Sequence, residues 1–394
     1  PVSYVTLLVG SAAVLLIGHV VIRRLAPHAD PVLYPVAAMI NLLGLVMIHR
    51  LDIADQLRAQ ANDNKSPSSD AVAQATWVLV ALVLFTLVLF FVTDHRKLQR
   101  YTFTFLVVGV VLLLLPLLPI IGTTINGARL WIRLGPLSFQ PSELAKIALT
   151  IFFAGYLVRK REALATVRRK ILGLGIPRGR DFGPLVVAWL VALSILAFQR
   201  DLGTALMFFG VFVILLYVAT QRRSWLIIGA VLFALAAVLG YLAFGHVQLR
   251  VKIWLDPWTY ANDEGYQLVQ ALFGLASGGL FGTGLGEGYP QFIPFAKTDF
   301  ISAALGEELG LAGMLAILML FAILVERGLR TGLACRDPFG TLLAVGLSSV
   351  FALQVFVTIG GVTRLIPLTG LTTPFLSYGG SALVINWVMI ALLL

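Results

Sequence analysis

The chain has 394 residues, of which 59% are hydrophobic and only 12% charged, with a mean hydropathy of +0.93. A soluble domain carries about 25% charged residues, so this composition excludes an ordinary cytosolic enzyme, a coiled coil and a disordered chain, and points to a multispanning membrane protein. The net charge of +10 does not mark a nucleic-acid binder, because nearly all the basic residues lie in loops between apolar runs.

Eleven apolar runs have the length of helical spans: 3–22, 32–49, 72–92, 101–121, 142–158, 184–199, 201–219, 224–244, 301–325, 339–359 and 374–394. The runs are continuous, unlike the weak alternation of a β-barrel. The sixth and seventh, interrupted at Gln199-Arg200-Asp201-Leu202-Gly203, read as two helices meeting at a charged turn or as one bent span. Eighteen Lys and Arg residues lie in the loops after the odd-numbered spans and ten in the other loops. The odd set is therefore expected on the cytoplasmic side. Residue 1 then falls outside, and at least one further helix is expected before it. Segment 1–22 lacks the basic start of a cleavable signal peptide.

Three stretches are expected on the outer side. Residues 50–71, rich in Asp, Asn and Ser, read as a mobile solvated loop. Residues 122–141 carry Arg129 and Arg133. Residues 245–300 form the longest polar interruption, with interfacial aromatics and a short amphipathic helix expected around Tyr266–Ala276. The glycines of 274–288 resemble a dinucleotide fingerprint but lack a βαβ context, so they read as turns and close backbone approaches. One cysteine, Cys335, excludes an internal disulfide. There is no HExxH, CxxC or P-loop, and the five histidines are scattered.

Ionisable residues in the apolar zone are costly and are the functional candidates. Glu143 and Lys146, at i,i+3 spacing, read as a structural ion pair, with Ser142 as cap, or as part of a cationic outer pocket with Arg129 and Arg133 for a phosphate group. Asp299 lies where the long loop re-enters the membrane. Desolvation would raise its pKa and nearby Lys297 would lower it, which suits a general base. The alternative is a carboxylate that merely stabilises the next helix. Glu307 and Glu308 follow about two turns into that helix. Asp256, Asp263, Glu264 and Glu287 read as solvated loop carboxylates.

Several motifs occur in a fixed order: Gly127-Ala128-Arg129-Leu130-Trp131, Phe139-Gln140-Pro141-Ser142-Glu143-Leu144-Ala145-Lys146, Asp201-Leu202-Gly203-Thr204-Ala205, Ala276-Ser277-Gly278-Gly279-Leu280, Lys297-Thr298-Asp299-Phe300, Gly306-Glu307-Glu308-Leu309-Gly310 and Pro374-Phe375-Leu376-Ser377-Tyr378-Gly379-Gly380-Ser381. Together they resemble the SEDS family (shape, elongation, division and sporulation proteins) over residues 32–394. The segment from Gly361 to Gly370 is most similar to elongation-type, actinobacterial members.

The resemblance implies an all-α polytopic membrane protein with a SEDS-type bundle. Its ten core transmembrane helices, residues 32–394, carry a large extracellular loop, 245–300, between core helices seven and eight. Residues 1–31 would add an extra N-terminal helix and a cytoplasmic loop. It further implies a peptidoglycan glycosyltransferase of a bacterial cytoplasmic membrane that polymerises lipid II at the outer face. The family's essential carboxylate falls on Asp299, which would act as general base. Arg129 and Lys146 would neutralise the leaving group, and Glu143, Gln140, Lys297, Thr298, Asp201 and Ser377 would complete the substrate site. A divalent cation, Mg or Mn, would assist, with no organic cofactor. The implied partners are a class B penicillin-binding protein (a transpeptidase), lipid II, undecaprenyl pyrophosphate and the elongation machinery.

The sequence departs from the family pattern in places. Phe295 and Lys297 replace the usual Glu and His before the Thr-Asp-Phe motif, Gln291 stands where some members have a second carboxylate, and Arg200 replaces a proline. The competing readings are a lipid II flippase, with Glu143, Lys146, Glu307 and Glu308 lining a polar path, a division-specific polymerase, and a non-catalytic scaffold for a partner enzyme.

Overall fold

The computed structural model describes the chain except residues 1–3, 62–68, 120, 126–127, 135–136, 166–168, 172–173 and 177–178. Its helices are α1 (Tyr4–Leu25), α2 (Leu33–Ala61), α3 (Asp70–Phe91), α4 (Arg96–Arg100), α5 (Thr102–Leu114), α6 (Pro141–Ala165), α7 (Gly179–Phe198), α8 (Leu202–Thr220), α9 (Ser224–Ala243), α10 (Gly245–Leu255), α11 (Tyr266–Gly278), α12 (Ile301–Ala334), α13 (Pro338–Val362) and α14 (Gly380–Leu393). Every expected span contains an apolar helix, although not every run is helical over its full length. Among the described residues eight helices are long and apolar enough to cross a membrane, and shorter apolar helices run over Thr102–Leu117, Gly183–Phe198 and Gly380–Leu393. The sixth and seventh runs are two helices, α7 and α8, joined at Arg200, whose φ is +62°. The amphipathic helix expected near 266–276 is α11.

Helices α6 and α13 are the most enclosed spans. At the other extreme, only Trp225 and Gly229 of α9 are buried, so α9 touches the bundle at its beginning and presents the rest of its apolar surface outward. Helix α1 docks through Tyr34 of α2, whose hydroxyl donates to Leu15 O at 2.6 Å. The Tyr34 ring lies where a side chain at Gly18 would stand.

Contacts between loops sort them into two ends. At one end, Lys297 pairs with Asp55 of α2 and Asp70 of α3, Arg58 donates to Gln291 O, and Arg250 donates to Thr369 O. At the other, His95 meets Asp337, Arg159 donates to Gln99 O and Arg327 faces Asp30. The first set joins loops after even-numbered spans and the second joins loops after odd ones, the same parity as the Lys and Arg count.

Three loop expectations are corrected. The stretch expected as a solvated loop from residue 50 continues α2 as far as Ala61, and residues 62–68 lie outside the described residues. Residues 122–139 form an antiparallel sheet, β1 (Gly122–Ile125), β2 (Ala128–Leu134) and β3 (Leu137–Phe139), leading into α6; a two-stranded β4 (Arg169–Ile171) and β5 (Leu174–Ile176) lies elsewhere. The last apolar run is helical only from Gly380. Before it, Phe375 adopts φ +62° and turns its ring against Phe351 and Trp387, while Leu376 lies against Gly44 of α2. A Cβ at Gly44 would stand 2.4 Å from Leu376 O, so the glycine admits this re-entrant backbone.

Helix α12 is broken at Gly310, with φ +68° and ψ −171°. A break in an apolar helix frees backbone groups that must find partners. The glycine-rich loop after α11 supplies them. Thr283 N and Gly284 N donate to Glu307 O and Glu308 O, and Leu311 N and Ala312 N donate to Gly279 O and Leu280 O, all at 3.0–3.1 Å. Gly282 has φ +83°, and a Cβ there would lie 2.1 Å from Glu308 O. Gly282→Ala is expected to destabilise the protein by more than about 1 kcal/mol through φ alone, with the clash added. Gly284→Ala, where a Cβ has room, meets only the φ penalty. Thermal unfolding of the two purified variants should rank them in that order.

Candidate active site at the loop-bearing end

The residues 295–300 form a tight turn, with Phe295 at φ +55° and both Thr298 N and Phe300 N donating to Phe295 O at 3.0 and 3.2 Å. This turn sets Asp299 immediately before α12. Burial pushes the Asp299 carboxyl up to about 6, against a hydrogen bond from Thr298 and the charge of Arg250. Gly370 faces it with φ +76°, and a Cβ there would lie 3.8 Å from Asp299 Oδ2, so the facing segment approaches with backbone only.

That facing segment, residues 364–378, is where the separate motifs meet. Arg250 of α10 donates to Leu368 O (3.2 Å) and Thr369 O (3.0 Å). Trp254, one turn later, donates to Arg364 O at 3.0 Å, and Arg364 donates back to Trp254 O at 2.7 Å and to Leu255 O. Gly203 lies against Thr369 and Leu371. Gln354 donates to Thr372 O at 2.8 Å and accepts from Lys146 Nζ at 3.1 Å. Ser377 Oγ accepts from Thr373 N (2.8 Å) and donates to Thr298 O (2.6 Å), while Tyr378 N donates to Lys297 O at 2.7 Å.

Asp201 caps α8, accepting from Thr204 N at 3.0 Å, and its Oδ2 is buried without a hydrogen-bond partner. Burial raises the Asp201 pKa; the Thr204 bonds and Arg250 oppose this and Glu143 adds to it. The Arg250 guanidinium is itself pushed down by burial and supported by Asp201 and Asp299. It is therefore the cation that both carboxylates feel, and it carries no ion pair to either within 4.0 Å.

Three of the sequence assignments change. Lys297 does not tune Asp299. Its ammonium is turned to Asp52, Asp55 and Asp70 at 2.8, 2.7 and 2.9 Å. Burial opposes its charge, but those bonds outweigh it and hold its pKa above the ordinary value. Arg129 and Arg133 do not share a pocket with Lys146. Both are exposed on β2, where Arg129 Nε donates to Thr124 Oγ1 at 3.2 Å, whereas Lys146 is buried against Glu143 at 2.6 Å. Ser142 is buried and accepts from Gln140 Nε2 at 3.1 Å. Glu287 is exposed, and Glu307 and Glu308 hold the glycine loop, accepting from Tyr289 N (2.7 Å) and Gly286 N (3.1 Å), with Arg50 against Glu308 at 3.1 Å.

Arg250 escaped the sequence reading. Its signal is the spacing of Arg250 and Trp254, one turn apart on a short helix within a loop, but the partners lie more than a hundred residues away. Lys297 joins a structural cluster: Lys297→Met would leave three carboxylates facing one another, with Asp52 buried. It is expected to cost about 2–3 kcal/mol, read as a lower Tm. An unchanged Tm would remove the cluster from the stabilising contacts.

Among the described residues no group of three or more His, Cys, Asp or Glu side chains is placed to hold a metal ion, and the three carboxylates that do converge, Asp52, Asp55 and Asp70, are taken up by the Lys297 ammonium. Asp201 and Asp299 both face the Arg250 charge instead.

The family model for the FtsW, RodA and SpoVE cell cycle proteins matches residues 31–394. The chain is 50% identical over 376 residues to the peptidoglycan glycosyltransferase RodA of Mycobacterium tuberculosis, covering 95% of this chain and 79% of that protein. It is 33% identical to stage V sporulation protein E of Bacillus subtilis, over 93% of this chain and 96% of that one. Among solved structures, a peptidoglycan synthase complex described as coordinating polymerization and crosslinking aligns with a TM-score of 0.63 and 28% identity, covering 98% and 95% of the two chains. The rod shape determining protein RodA of Thermus thermophilus aligns at 0.54 and 26%, covering 98% and 94%. The motifs that converge on residues 364–378 are thus those of a known group, and the chain belongs to the FtsW/RodA/SpoVE family.

Proposed function

We propose that the chain is a peptidoglycan glycosyltransferase of the elongation, RodA-like type, which polymerises lipid II at the outer face of a bacterial cytoplasmic membrane. The observation that carries this reading is Asp299, a carboxylate raised by burial to about 6 against the opposing charge of Arg250, at the point where the motif-bearing loops meet. Such a group is ionised at neutral pH yet basic enough to accept a proton. It takes the proton of the acceptor 4-hydroxyl as that oxygen attacks the anomeric carbon of the donor. The bond formed is β-1,4, with inversion, and the bond broken releases undecaprenyl pyrophosphate. Arg250 supplies positive charge beside the reacting groups, where preorganised electrostatics are most effective. The Lys and Arg asymmetry and the loop parity support the outer placement. A class B penicillin-binding protein is the proposed partner, within the elongation machinery.

The transporter reading needs Glu143, Lys146, Glu307 and Glu308 free to line a path. Glu143 and Lys146 are paired with each other, and the two glutamates are committed to Arg50 and the glycine loop. Purified protein supplied with lipid II, with and without the transpeptidase, should make glycan chains resolvable on a gel. Transbilayer movement of lipid II in vesicles holding this protein alone, with no glycan made under any condition, would replace the polymerase reading by the transporter.

A further inference from the structure

A neutral amide inside an apolar span is costly unless its partners are in place. Gln74 is such a group. It lies on the second turn of α3 and is fully buried. Both halves of its amide are used, and on one short piece of chain. Nε2 donates to Ser377 O and Oε1 accepts from Gly379 N, each at 3.2 Å. Three residues later on the same face, the Trp77 ring lies where a side chain at Gly380 would stand. Helix α3 therefore grips residues 377–380, the chain that leads into α14.

The same piece of chain carries the turn that sets Asp299. Tyr378 N, between the two groups that Gln74 binds, donates to Lys297 O at 2.7 Å. Ser377 Oγ donates to Thr298 O at 2.6 Å. Lys297 and Thr298 are the two residues immediately before Asp299. The path from Gln74 to the carboxylate thus has two layers, from the amide to residues 377–379 and from residues 377–378 to the carbonyls of 297 and 298. The Lys297 ammonium ties the same turn to Asp70 at 2.9 Å, so α3 holds it twice, by charge at its start and by the Gln74 amide one turn on. Around the carboxyl, α10 brings the charge of Arg250, the facing segment brings the backbone of Gly370, and α12 begins with the uncharged Ile301-Ser302-Ala303.

We propose that Gln74 is a positioning residue for Asp299: its amide clamps residues 377–379, and these hold the two carbonyls that precede the carboxylate. This rests on the polymerase reading, in which Asp299 is the base. Gln74 acts through backbone alone, since both its partners are main-chain groups. Only a side chain with a donor and an acceptor at one tip can bridge a carbonyl and an N–H two residues apart in this way, and a primary amide supplies both without a charge.

The test uses the purified full chain with Gln74→Met, which keeps the length of the side chain and removes both bonds. Its kcat for lipid II polymerisation should fall about 10–10²-fold, the effect of up to about 1 Å of misplacement at the reacting atoms, with KM unchanged. A loosened turn admits water to Asp299, so the carboxyl that burial raises to about 6 should titrate lower. Its infrared carboxyl band, assigned by its loss in Asp299→Asn, reads that titration without turnover. Asn41→Leu is the structural control. Asn41 accepts from Trp387 Nε1 at 3.1 Å between α2 and α14, outside the path to Asp299. It should lower Tm as Gln74→Met does, yet leave kcat and the Asp299 titration as in the wild type. Ser377→Ala cuts the second layer at Thr298 O, so combining it with Gln74→Met should lower kcat no further than the worse single variant. Gln74→Asn keeps the amide and shortens its reach by one methylene. It should show the same changes in smaller measure, and it carries the test if the Met variant does not fold. A lower Tm with wild-type kcat and Asp299 titration, or fully additive losses with Ser377→Ala, would overturn the proposal while the polymerase reading stands. A shifted Asp299 titration in Gln74→Met, with no polymerisation by any form, leaves the positioning in place and removes the polymerase reading.

Discussion

Asp299→Asn is expected to lower glycan synthesis by about 10²–10⁴-fold, the contribution of a positioned general base, with Tm unchanged. The amide preserves the shape of the carboxyl and removes its proton affinity. Asp299→Glu is expected to fall about 10²-fold as well, because a displacement of about 1 Å at the reacting atoms has that effect, and Gly370 closes the space on one side. The pH profile gives a second readout. Burial raises Asp299 to about 6, and a base works only when ionised, so kcat/KM should decline about tenfold per unit as pH falls below about 6. Arg250 favours the ionised form, so Arg250→Gln should move this acid limb to higher pH. Wild-type rates in a folded Asp299→Asn, or an acid limb that ignores Arg250, would assign Asp299 a structural role and send the search to Asp201.

Lys146→Met is expected to destabilise the protein by about 3–5 kcal/mol, because it leaves Glu143 charged, buried and unpaired. The pair is 2.6 Å apart and both side chains are within 4% of full burial. The double variant Glu143→Gln with Lys146→Met removes both charges and should recover most of the lost Tm. It should not recover activity. Lys146 also donates to Gln354, which holds Thr372 O, so losing it loosens the segment against which Asp299 is set. A Lys146→Met protein with the Tm of the wild type would show that the pair is not what supports α6 against α13.

Much of this protein was legible from residue order alone. A bilayer demands about 20 apolar residues per helix and excludes unpaired backbone, so each of the eleven runs holds an apolar helix. Charge asymmetry assigned the loops to two ends, and the contacts between loops respect that parity. The carboxylate before α12 and the amphipathic α11 were likewise visible, because each depends on neighbours within a few residues. Composition could not separate a span from a re-entrant strand of chain, and so the run from residue 374 was read as helix throughout. Phe375 and Gly44 decide that point through packing between distant elements. The same holds for charge. Lys297 lies two residues from Asp299, yet its partners are on α2 and α3, more than 200 residues earlier. Arg250, far from Asp299 in sequence, takes over its electrostatic role. Hydrophobic length and loop charge act locally and leave a periodic trace in the sequence. Which cation faces which carboxylate depends on the folded positions of segments with no sequence proximity, and only the tertiary structure set that pairing.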